Sequence, residues 1–451
     1  MDFKTISVVG LGYIGLPTAA VIASRRKKVI GVDISQRAVD TINRGEIHIV
    51  EPELDMLVHA AVKEGHLRAT TIPEPADAFL VAVPTPFKRE EGKEHVPDLS
   101  YIRAASLAIA PVLKPGDLVI LESTSPVGAT EQMEAWLAEA RPDLSFPSQQ
   151  GEASDIRVAH CPERVLPGHV VRELVENDRV IGGMTPRCSE AACALYELFV
   201  RGECITTTAR TAEMAKLTEN SFRDVNIAFA NELSIICDKL DINVWELIRL
   251  ANRHPRVNIL QPGPGVGGHC IAVDPWFIVS ETPEQARLIR TAREVNDSKP
   301  EWVIDQVNQA IGQFLSQHPE RTARDVTVAC LGLAFKPDID DLRESPALAI
   351  THALKARLPG RLMVVEPNID ELPESLHGAK LTSIDVALDE SDIVVLLVDH
   401  KAFKKIASER LAGRHLVDTR GVWTGQNRRR SDVLVALVRE SVETAEAHPA
   451  Q

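Results

Sequence analysis

The residues that could do chemistry most directly are a cysteine and an aspartate in a glycine-rich segment. GPGVGGHCIAVDPW, residues 263–276, places four glycines before Cys270 and sets Asp274 four residues after it. A buried structural cysteine packs as a small hydrophobic residue wherever there is room, whereas a reactive thiol needs access. Glycines would give that access because they carry no Cβ. The segment therefore indicates a reactive thiol, although a glycine-rich turn around a core cysteine explains it equally well taken alone.

A long helix is predicted upstream of this segment, from Thr211 to about Leu240, because apolar residues recur there at intervals of three and four. Lys216, Asn220 and Arg223 fall together on the side opposite to the apolar stripe. Taken alone, such a polar face is ordinarily solvated surface. The stripe, which we expect to be buried, consists of Met214, Leu217, Val225, Phe229, Leu233, Ile236 and Leu240.

The N-terminal segment carries a nucleotide-binding pattern. A predicted strand at 5–9 is followed by Gly10-x-Gly12-x-x-Gly15 and a helix, and the next strand, KVIGVD, ends in Asp33. Glycines of this kind let a pyrophosphate approach the helix N-terminus, while the carboxylate accepts hydrogen bonds from ribose hydroxyls. Because Asp33 would repel a 2′-phosphate, the pattern predicts NAD rather than NADP as the cofactor. The alternative is a glycine turn in a βαβ unit that binds no ligand.

Further strand-like runs at 78–86, 117–124 and 156–163 alternate with helical stretches, which predicts an α/β fold with a doubly wound parallel sheet. Ligands of such sheets bind beyond the carboxyl ends of the strands. The polar residues predicted at those ends are Thr85, Thr124 and Glu163.

A second Rossmann-like α/β unit is predicted after the loop SQHPERTARD, with strands at 326–331, LMVVEPN, DIVVLLVD and HLVDT. Its first turn keeps Gly332 but lacks the other two glycines, so it predicts a nucleotide site without a second dinucleotide. Another helical stretch, about 284–315, makes the middle of the chain mostly helical and suited to dimer contacts. The predicted domains are therefore 1–205, 206–316 and 317–451, with a helix at 431–444 in the C-terminal tail.

Composition narrows the classes of partner. The 451 residues include seven scattered cysteines without zinc-ligand spacing, which fits a reducing compartment and predicts neither disulfides nor a structural metal. A net charge of −14 argues against nucleic acid and anionic membranes, and the one basic run, at 428–430, is interpreted as solvated surface or tail. Without an apolar run of membrane-spanning length or a signal peptide, the expected location is the cytoplasm.

Together these motifs resemble the UDP-glucose/GDP-mannose dehydrogenase family over residues 6 to about 423. The matching stretches are GLGYIGLPTAA, RGEIHIVEP, VAVPTPF, LESTSPVG, CPERVLPG, RTAEMAKLTENSFRDVNIAFANE, the segment around Cys270, and LAFKPDIDDLRESP. The resemblance implies oxidation of the C6 alcohol of a nucleotide sugar to a carboxylate, with two NAD consumed.

The resemblance also implies roles for individual residues. Cys270 corresponds to the nucleophile and Asp274 to the aspartate that activates water, and Lys216, Asn220, Thr124 and Glu163 complete the catalytic set. Cofactor contacts are implied for Tyr13, Ile14, Asp33, Thr85, Thr130 and Arg343. Substrate contacts are implied for Arg164, Val165, Lys216, Asn220, Arg223, His254, Arg256, Gly267, Phe335, Lys336 and Arg420.

The chemistry is consistent with these residue types. A thiolate can hold the intermediate aldehyde as a thiohemiacetal and then as a thioester, which water hydrolyses. Lys216 and Asn220, one helical turn apart, can both stabilise the developing oxyanion. A helical turn between Cys270 and Asp274 would bring the carboxylate to the thiol's side, although Asp274 could instead be a helix cap or turn former ahead of Pro275.

Several alternatives stay open. Arg343 could pair with Asp340 or Asp341 instead of contacting the cofactor. Arg256 and Lys336 are the expected donors to the UDP diphosphate, and the resemblance places Arg256 on a neighbouring subunit of a homodimer. Pro167 stands where UDP-glucose dehydrogenases have a second glutamate, and this favours the branch of the family that acts on 2-acetamido sugars.

The resemblance implies UDP-N-acetyl-D-mannosamine as the substrate, oxidised for a bacterial surface polysaccharide such as enterobacterial common antigen. The same reaction on UDP-N-acetylglucosamine or another UDP-hexosamine is the nearest alternative. A two-electron hydroxyacid dehydrogenase and a catalytically silent NAD-binding protein are more distant ones.

Overall fold

The computed structural model describes residues 3–49, 51–88, 95–165, 168–268 and 270–423. Pro167, the basic run at 428–430 and the predicted helix at 431–444 lie outside them. The chain packs into two compact units. The first comprises Met1–Ser221 and Val273–Arg287, and the second comprises Phe222–Ala272 and Leu288–Gln451. The three-domain division stays a prediction.

The first unit is built on a sheet that has eight strands within the described residues, in the order β3-β2-β1-β4-β5-β6-β7-β8. Neighbouring strands are parallel except β6 and β7, which pair in antiparallel fashion. The order of the first six strands is that of a dinucleotide-binding sheet. The strands are β1 (Thr5–Val9), β2 (Lys28–Val32), β3 (Leu67–Thr70), β4 (Ala78–Val81), β5 (Leu118–Leu121), β6 (Arg157–His160), β7 (Arg179–Gly183) and β8 (Cys204–Thr208).

Helices cover both faces of this sheet, and for that reason its central strands are apolar and buried along their whole length. Two apolar clusters, one on each face, form the core of the unit. The helices are α1 (Gly15–Ser24), α2 (Gln36–Asn43), α3 (Leu54–Lys63), α4 (Ser100–Ile109), α5 (Ala129–Ala140), α6 (Pro147–Gln150), α7 (Val170–Glu176) and α8 (Pro186–Tyr196).

Four further helices form the middle of the chain. They are α9 (Ala209–Lys239), α10 (Val244–Ala251), α11 (Asp274–Glu281) and α12 (Arg287–Gln317). Both predicted long helices, one from Thr211 to about Leu240 and one at about 284–315, are present as α9 and α12. Among the residues that the structure describes, no helix is both long enough and apolar enough to span a membrane.

The second unit contains a five-stranded parallel sheet, counted over the described residues, in the order β11-β10-β9-β12-β13. The predicted fold class, two Rossmann-like sheets with a helical region between them in the sequence, is confirmed. The elements are β9 (Thr327–Leu331), α13 (Pro346–Arg357), β10 (Arg361–Val365), β11 (Lys380–Leu381), α14 (Ile384–Glu390), β12 (Ile393–Leu396), α15 (Lys401–Lys404), α16 (Ser408–Leu411) and β13 (His415–Asp418).

The predicted buried stripe on α9 is wrong. Leu217 is buried, but Met214, Phe229, Ile236 and Leu240 are exposed. The buried side of the helix is instead polar, and Glu213, Asn220, Asp224, Asn231 and Ser234 have hydrogen-bonding or charged partners on other elements. Its polar members are Glu213, Lys216, Asn220, Ser221, Asp224, Asn231 and Ser234.

Candidate active site

The turn after β1 has the geometry of a pyrophosphate cradle. Gly10 has φ +93°, and a Cβ there would lie 2.6 Å from the Ala82 carbonyl oxygen. A Cβ at Gly15 would lie 1.8 Å from the Gly10 carbonyl oxygen, so this glycine lets α1 approach the turn. A Cβ at Gly12 would meet no atom within 4 Å. The first and third glycines are therefore required by the protein itself, while the second leaves open space for a ligand.

The acid at the end of β2 closes the same turn. Asp33 Oδ2 accepts a hydrogen bond from Leu11 N at 2.9 Å, and Oδ1 accepts one from Ser35 N at 2.8 Å. Asp33 remains half-exposed, and exposed Tyr13 and half-buried Ile14 lie where the turn enters α1. These residues fit the adenosine and pyrophosphate parts of NAD.

Two of the predicted cofactor or catalytic threonines meet at the ends of β4 and β5. The Thr85 hydroxyl donates to the Thr124 carbonyl oxygen at 2.5 Å. Thr130, in contrast, is fully buried, and its hydroxyl and amide both donate to Glu213 Oε1, at 2.6 and 2.8 Å. The structure thus gives Thr130 the role of anchoring the start of α5 to α9, and its cofactor contact stays a prediction.

Glu163 follows β6 and is buried. Its Oε2 accepts a hydrogen bond from Arg179 Nη1 at 2.6 Å, and its Oε1 accepts one from the Arg164 amide at 2.8 Å. The Arg164 guanidinium forms an ion pair with Glu219 on α9 at 2.6 Å. Half-buried Val165 follows directly.

Three of the residues predicted to be catalytic, Lys216, Asn220 and Asp274, lie together in the first unit. Asp274, the first residue of α11, is only 3% exposed, and its Oδ2 accepts a hydrogen bond from Asn220 Nδ2 at 2.6 Å. Burial raises the pKa of Asp274 to about 7, against the opposing effects of the Lys216 charge and the Asn220 bond. No side chain caps α11. The capping role offered for Asp274 is therefore wrong, and its carboxyl titrates in the range where a general base works.

Cys270 is exposed, as a reactive thiol requires. The glycines ahead of it have a reason that the sequence interpretation missed. A Cβ at Gly267 would lie 2.5 Å from the Glu344 carbonyl oxygen, and one at Gly268 would lie 2.9 Å from Phe335 Cε2. These glycines are thus needed first of all for the packing of their loop within the second unit. Asp274 is four residues further along the chain, at the start of α11, whereas Cys270 is in the turn that precedes this helix.

Three predicted substrate residues come together in the second unit. Phe335 and Arg420 line a pocket at the carboxyl ends of β9 and β12, and Gly267 packs against Phe335. Arg420 pairs with Asp399 at 2.9 Å, which fixes its guanidinium at the pocket. Half-buried Lys336 adjoins Phe335. The full lining is Pro264, Gly265, Ala334, Phe335, Pro337, Pro346, Ala347, Leu397, Val398, Asp399 and Arg420.

The lining of this pocket also excludes four other predicted residues, Arg223, His254, Arg256 and Arg343. His254 and Arg256 are exposed in the turn after α10, and Arg223 is exposed on α9. Arg343 forms an ion pair with Asp341 at 2.6 Å, which is the alternative that the sequence offered for it. Their contacts with substrate or cofactor stay predictions.

The sequence interpretation also missed a buried polar group beneath Glu163, formed by Arg179, Tyr196 and Glu122. Tyr196 Oη donates to Glu122 Oε1 at 2.7 Å, and Arg179 Cζ lies 5.5 Å from the centre of the Tyr196 ring. A charged residue at the start of an apolar strand, as in DRVIGG, was the available signal. Taken alone, this signal does not indicate burial, because charged residues at strand ends are ordinarily solvated.

Comparison with family models decides the identity. The NAD-binding domain of the UDP-glucose/GDP-mannose dehydrogenase family matches residues 4–200, its central domain matches 210–298, and its UDP-binding domain matches 329–425. The chain belongs to the UDP-glucose/GDP-mannose dehydrogenase family. It is accordingly an NAD-dependent dehydrogenase of nucleotide sugars.

Individual members of this dehydrogenase family are similar over nearly the whole chain. The NDP-N-acetyl-D-galactosaminuronic acid dehydrogenase of Ralstonia nicotianae is 69% identical, over 94% of this chain and 98% of its own. The UDP-N-acetyl-D-mannosamine dehydrogenase of Yersinia pestis is 66% identical, over 94% and 100%. Among solved structures, the UDP-D-ManNAc dehydrogenase of Pyrococcus horikoshii superposes with a TM-score of 0.82 at 37% identity, covering 93% of this chain and 96% of its own.

Proposed function

We propose that this dehydrogenase oxidises the C6 alcohol of UDP-N-acetyl-D-mannosamine to the carboxylate, through a thiohemiacetal and then a thioester on Cys270. NAD, when bound, supplies the hydride acceptor for each of the two oxidations. The observation that carries the proposal is the pairing along the chain of an exposed thiol, Cys270, with a buried carboxyl, Asp274, whose pKa is raised to about 7.

In the first half of the reaction a base takes the proton of the C6 hydroxyl, and the Cys270 thiolate then attacks the aldehyde carbon. Lys216 and Asn220 supply a positive charge and an amide donor for the oxygen that becomes negative at each tetrahedral stage. Both are held in place by burial on α9. A tether at this point keeps the aldehyde from escaping before the second oxidation.

In the second half the thioester is hydrolysed by water. Asp274 can accept the proton of this water at neutral pH because its carboxyl is close to half-ionised there. Thr124 and Glu163, at the ends of β5 and β6, are assigned to positioning this water for Asp274. The buried Arg179 keeps the Glu163 carboxylate oriented for this role.

The UDP part of the substrate is assigned to the pocket of the second unit. Phe335 offers an aromatic face for the uracil, and Arg420 in the pocket lining and Lys336 next to Phe335 in the chain offer cationic donors for the diphosphate. Gly267 brings the backbone of the loop before Cys270 to the same pocket. Arg164, Val165, Arg223, His254 and Arg256 are assigned to the remaining substrate contacts, and Thr130 and Arg343 to cofactor contacts.

We also propose a homodimer located in the cytoplasm. Support for the dimer comes from the large apolar side chains exposed along α9, where Phe222, Phe229 and Leu240 are 69%, 52% and 61% exposed. We assign this surface to contact with a second copy of the chain, because a twofold dimer brings the same apolar patch of the two subunits together. Sedimentation of a Phe229→Glu variant would then show a monomer.

The identity of the 2-acetamido sugar has a second candidate. The relative at 69% identity is named for N-acetyl-D-galactosaminuronic acid, whereas several at 64–66% are named for N-acetyl-D-mannosamine. The second candidate is therefore the same oxidation on the galacto epimer, and product from either sugar could serve a bacterial surface polysaccharide.

The test supplies the purified enzyme with excess NAD and a limiting amount of one UDP-2-acetamido sugar, in the manno, galacto or gluco configuration, and counts NADH per sugar. We expect two NADH per sugar and the highest kcat/KM for the manno sugar. Cys270→Ser should abolish carboxylate formation, while Cys204→Ser, at a half-buried thiol on β8, should leave it intact. One NADH per sugar, or a Cys270→Ser variant with normal product, would overturn the mechanism.

A further inference from the structure

A buried histidine, His400, lies behind the pocket of the second unit. Two segments supply much of the lining of this pocket, and His400 directly follows one of them in the chain. Its side chain is only 1% exposed, and its ring contacts Asp338, which directly follows the other segment. One side chain therefore joins the ends of both segments. Their lining residues are Ala334, Phe335 and Pro337 in the first and Leu397, Val398 and Asp399 in the second.

The hydrogen bonds of His400 determine which ring nitrogen carries the proton. The Asp338 amide donates to Nδ1 at 2.9 Å, and the side-chain nitrogen of Asn368 lies 3.2 Å from the same atom. A backbone N–H can only donate, so Nδ1 is an acceptor and the ring proton is on Nε2. Nε2 then donates to Glu366 Oε2 at 3.0 Å. The two nitrogens of His400 thus have different partners and different roles.

The partner of Nδ1 belongs to a strained turn. Asp338 has φ +61°, a left-handed conformation that a non-glycine residue adopts only where its contacts hold it there. Two contacts do so, because the Asp338 amide donates to His400 and Asp338 Oδ1 accepts a hydrogen bond from the Lys401 amide at 3.0 Å. Phe335 and Lys336, which are assigned to the uracil and the diphosphate, lie two and three residues before Asp338. A shift of this turn would therefore move both of them.

The partner of Nε2 is held without His400. Glu366 Oε2 also accepts from the amides of Leu333 and Ala334, and Oε1 accepts from the amide and the side chain of Asn368, both at 3.1 Å. Loss of the Nε2 bond would leave these four bonds in place. It would reduce stability, since a buried carboxylate loses one donor, but it would not release the turn at Asp338.

We propose that His400 is a positioning residue for UDP binding, because its Nδ1 holds the Asp338 amide and thereby sets the places of Phe335 and Lys336 at the pocket. The bond from Nε2 to Glu366 stabilises the fold and does not set the affinity for the nucleotide. This inference rests on the assignment of UDP to this pocket under the proposed function.

The experiment separates the two nitrogens of His400. Asparagine places its side-chain oxygen near the position of Nδ1 and keeps an acceptor for the Asp338 amide, whereas glutamine places its side-chain nitrogen near the position of Nε2 and keeps a donor for Glu366. His400→Asn and His400→Gln are compared with the wild-type enzyme. The Kd of UDP is measured by calorimetry, the KM of a UDP-2-acetamido sugar and kcat at saturating NAD, and stability by thermal melts.

The two variants should differ in UDP affinity. His400→Gln should weaken UDP binding by about 10-fold and raise the KM of the UDP sugar to a similar extent, because the Asp338 amide loses its acceptor. Its kcat should change little, since Asn220 and Asp274 keep their contact in the first unit. His400→Asn should bind UDP about as tightly as wild type, although its melting temperature should fall.

His318→Gln is the matched control. His318 is a half-buried histidine after α12 that stacks on the Phe314 ring, and its Nδ1 lies 3.0 Å from the Phe314 carbonyl oxygen. It does not line the pocket. Its replacement should change neither the Kd of UDP nor the KM of the UDP sugar.

Equal UDP affinities in His400→Gln and His400→Asn would overturn the inference, whether both bind normally or both bind weakly, because a merely structural histidine would not distinguish its nitrogens in this way. If either variant does not fold, Asp338→Ala decides. It removes the contact with the Lys401 amide at the same turn, so the KM of the UDP sugar should rise with little change in kcat, and an unchanged KM would overturn the inference. A wild-type enzyme that does not bind UDP would overturn the pocket assignment as well.

Discussion

The first turn of each sheet begins in the same way and ends differently. In the first unit Gly10 has φ +93° and its amide donates to the Val32 carbonyl oxygen, and in the second unit Gly332 has φ +96° and its amide donates to the Val365 carbonyl oxygen. A leucine follows in both turns. The next residue is the open Gly12 in one and the buried Ala334 in the other.

The acidic residues that close the two turns also differ in exposure, and again the first turn is the more open one. Asp33 binds two amides and remains half-exposed, but Glu366, after β10, is buried. Glu366 Oε2 accepts from the amides of Leu333 and Ala334, at 2.7 and 3.1 Å, and lies 3.0 Å from His400 Nε2. Only the first turn leaves its carboxylate accessible to ribose hydroxyls, which explains how similar sheets serve a dinucleotide and a UDP group.

Two buried asparagines on α9, one in each unit, also differ in what they contact. Asn220, in the first unit, donates to Asp274, the titratable carboxyl of the proposed site. Asn231, in the second unit, donates to Asn296 Oδ1 at 2.8 Å and accepts from the Gly263 amide at 2.9 Å. One buried asparagine thus contacts a carboxyl of the proposed active site, and the other anchors the glycine-rich loop.

The largest expected effect separates these two asparagines. Asn220→Ala should lower kcat by about 10² to 10³, with little change in substrate KM, because an oxyanion donor acts in the transition state. Asn231→Ala should instead lower the melting temperature, since it leaves the Gly263 amide and Asn296 without their partner. Steady-state kinetics and thermal melts of both variants check the prediction, and a normal kcat in Asn220→Ala would contradict it.

The next effect concerns the open position of the first turn. Gly12→Val should raise the KM for NAD by about 10²-fold, because the new side chain occupies the space that the pyrophosphate needs. The fold should be retained, since nothing lies within 4 Å of the new Cβ. Gly312→Val on α12, where the added Cβ also meets nothing, is the matched control. An equal KM for NAD in the two variants would contradict the assignment of this turn to pyrophosphate binding.

A smaller effect is expected from the paired acids. Asp33→Asn should weaken NAD binding by roughly 10-fold, because ribose hydroxyls lose a charged acceptor, and should narrow the preference for NAD over NADP. Glu366→Gln should leave the NAD constants unchanged and reduce stability. Titration of both variants with NAD and NADP tests whether Asp33, and not Glu366, contributes to cofactor binding. A changed NAD affinity in Glu366→Gln would contradict this prediction.

The smallest effect is a pH dependence of stability. The pKa of Asp274 is raised on folding, chiefly by burial, so its contribution to stability is full below pH 4 and is lost as pH rises through about 7. Asp274→Asn should therefore raise the melting temperature by a few degrees at pH 8 and by less at pH 5. A gain of 1 kcal/mol in the free energy of unfolding corresponds to a rise on the order of 2–4 °C.

Glu366 should show the opposite sign. Burial acts to raise its pKa, but the His400 and amide bonds outweigh this effect and lower it, so stability from this group is lost as pH falls below the usual glutamate range. Melts of Glu366→Gln should accordingly differ from wild type more at pH 7 than at pH 4. A difference that grows on acidification would contradict the assignment.

The sequence predicted those elements whose patterns are local. Apolar runs located β1, β2, β4, β5, β6, β9, β10, β12 and β13, and the glycine spacing located the first turn. Strands β3, β7, β8 and β11 were missed. β8 reads CITTT and is largely polar, and the antiparallel pairing of β7 with β6 has no local signal.

Burial on α9 could not be inferred because its buried side is polar and its partners come from distant parts of the chain. Glu213 is bound by Thr130, and Asp224 by Arg293, over separations of 83 and 69 residues. In the same way, the glycines before Cys270 were attributed to substrate access, while the structure shows that Phe335 and Glu344 already require Gly267 and Gly268. Residue types indicated the chemistry, whereas long-range contacts determine which side chains are held in place.

The most direct test of the central claim is peptide mapping of enzyme quenched in acid during turnover of a UDP-2-acetamido sugar with NAD. The account predicts a sugar-derived mass on the peptide that contains Cys270, present in wild type, enriched in Asp274→Asn and absent from Cys270→Ser. Carboxylate formation at the wild-type rate by Cys270→Ser, with no adduct on any cysteine, would contradict it.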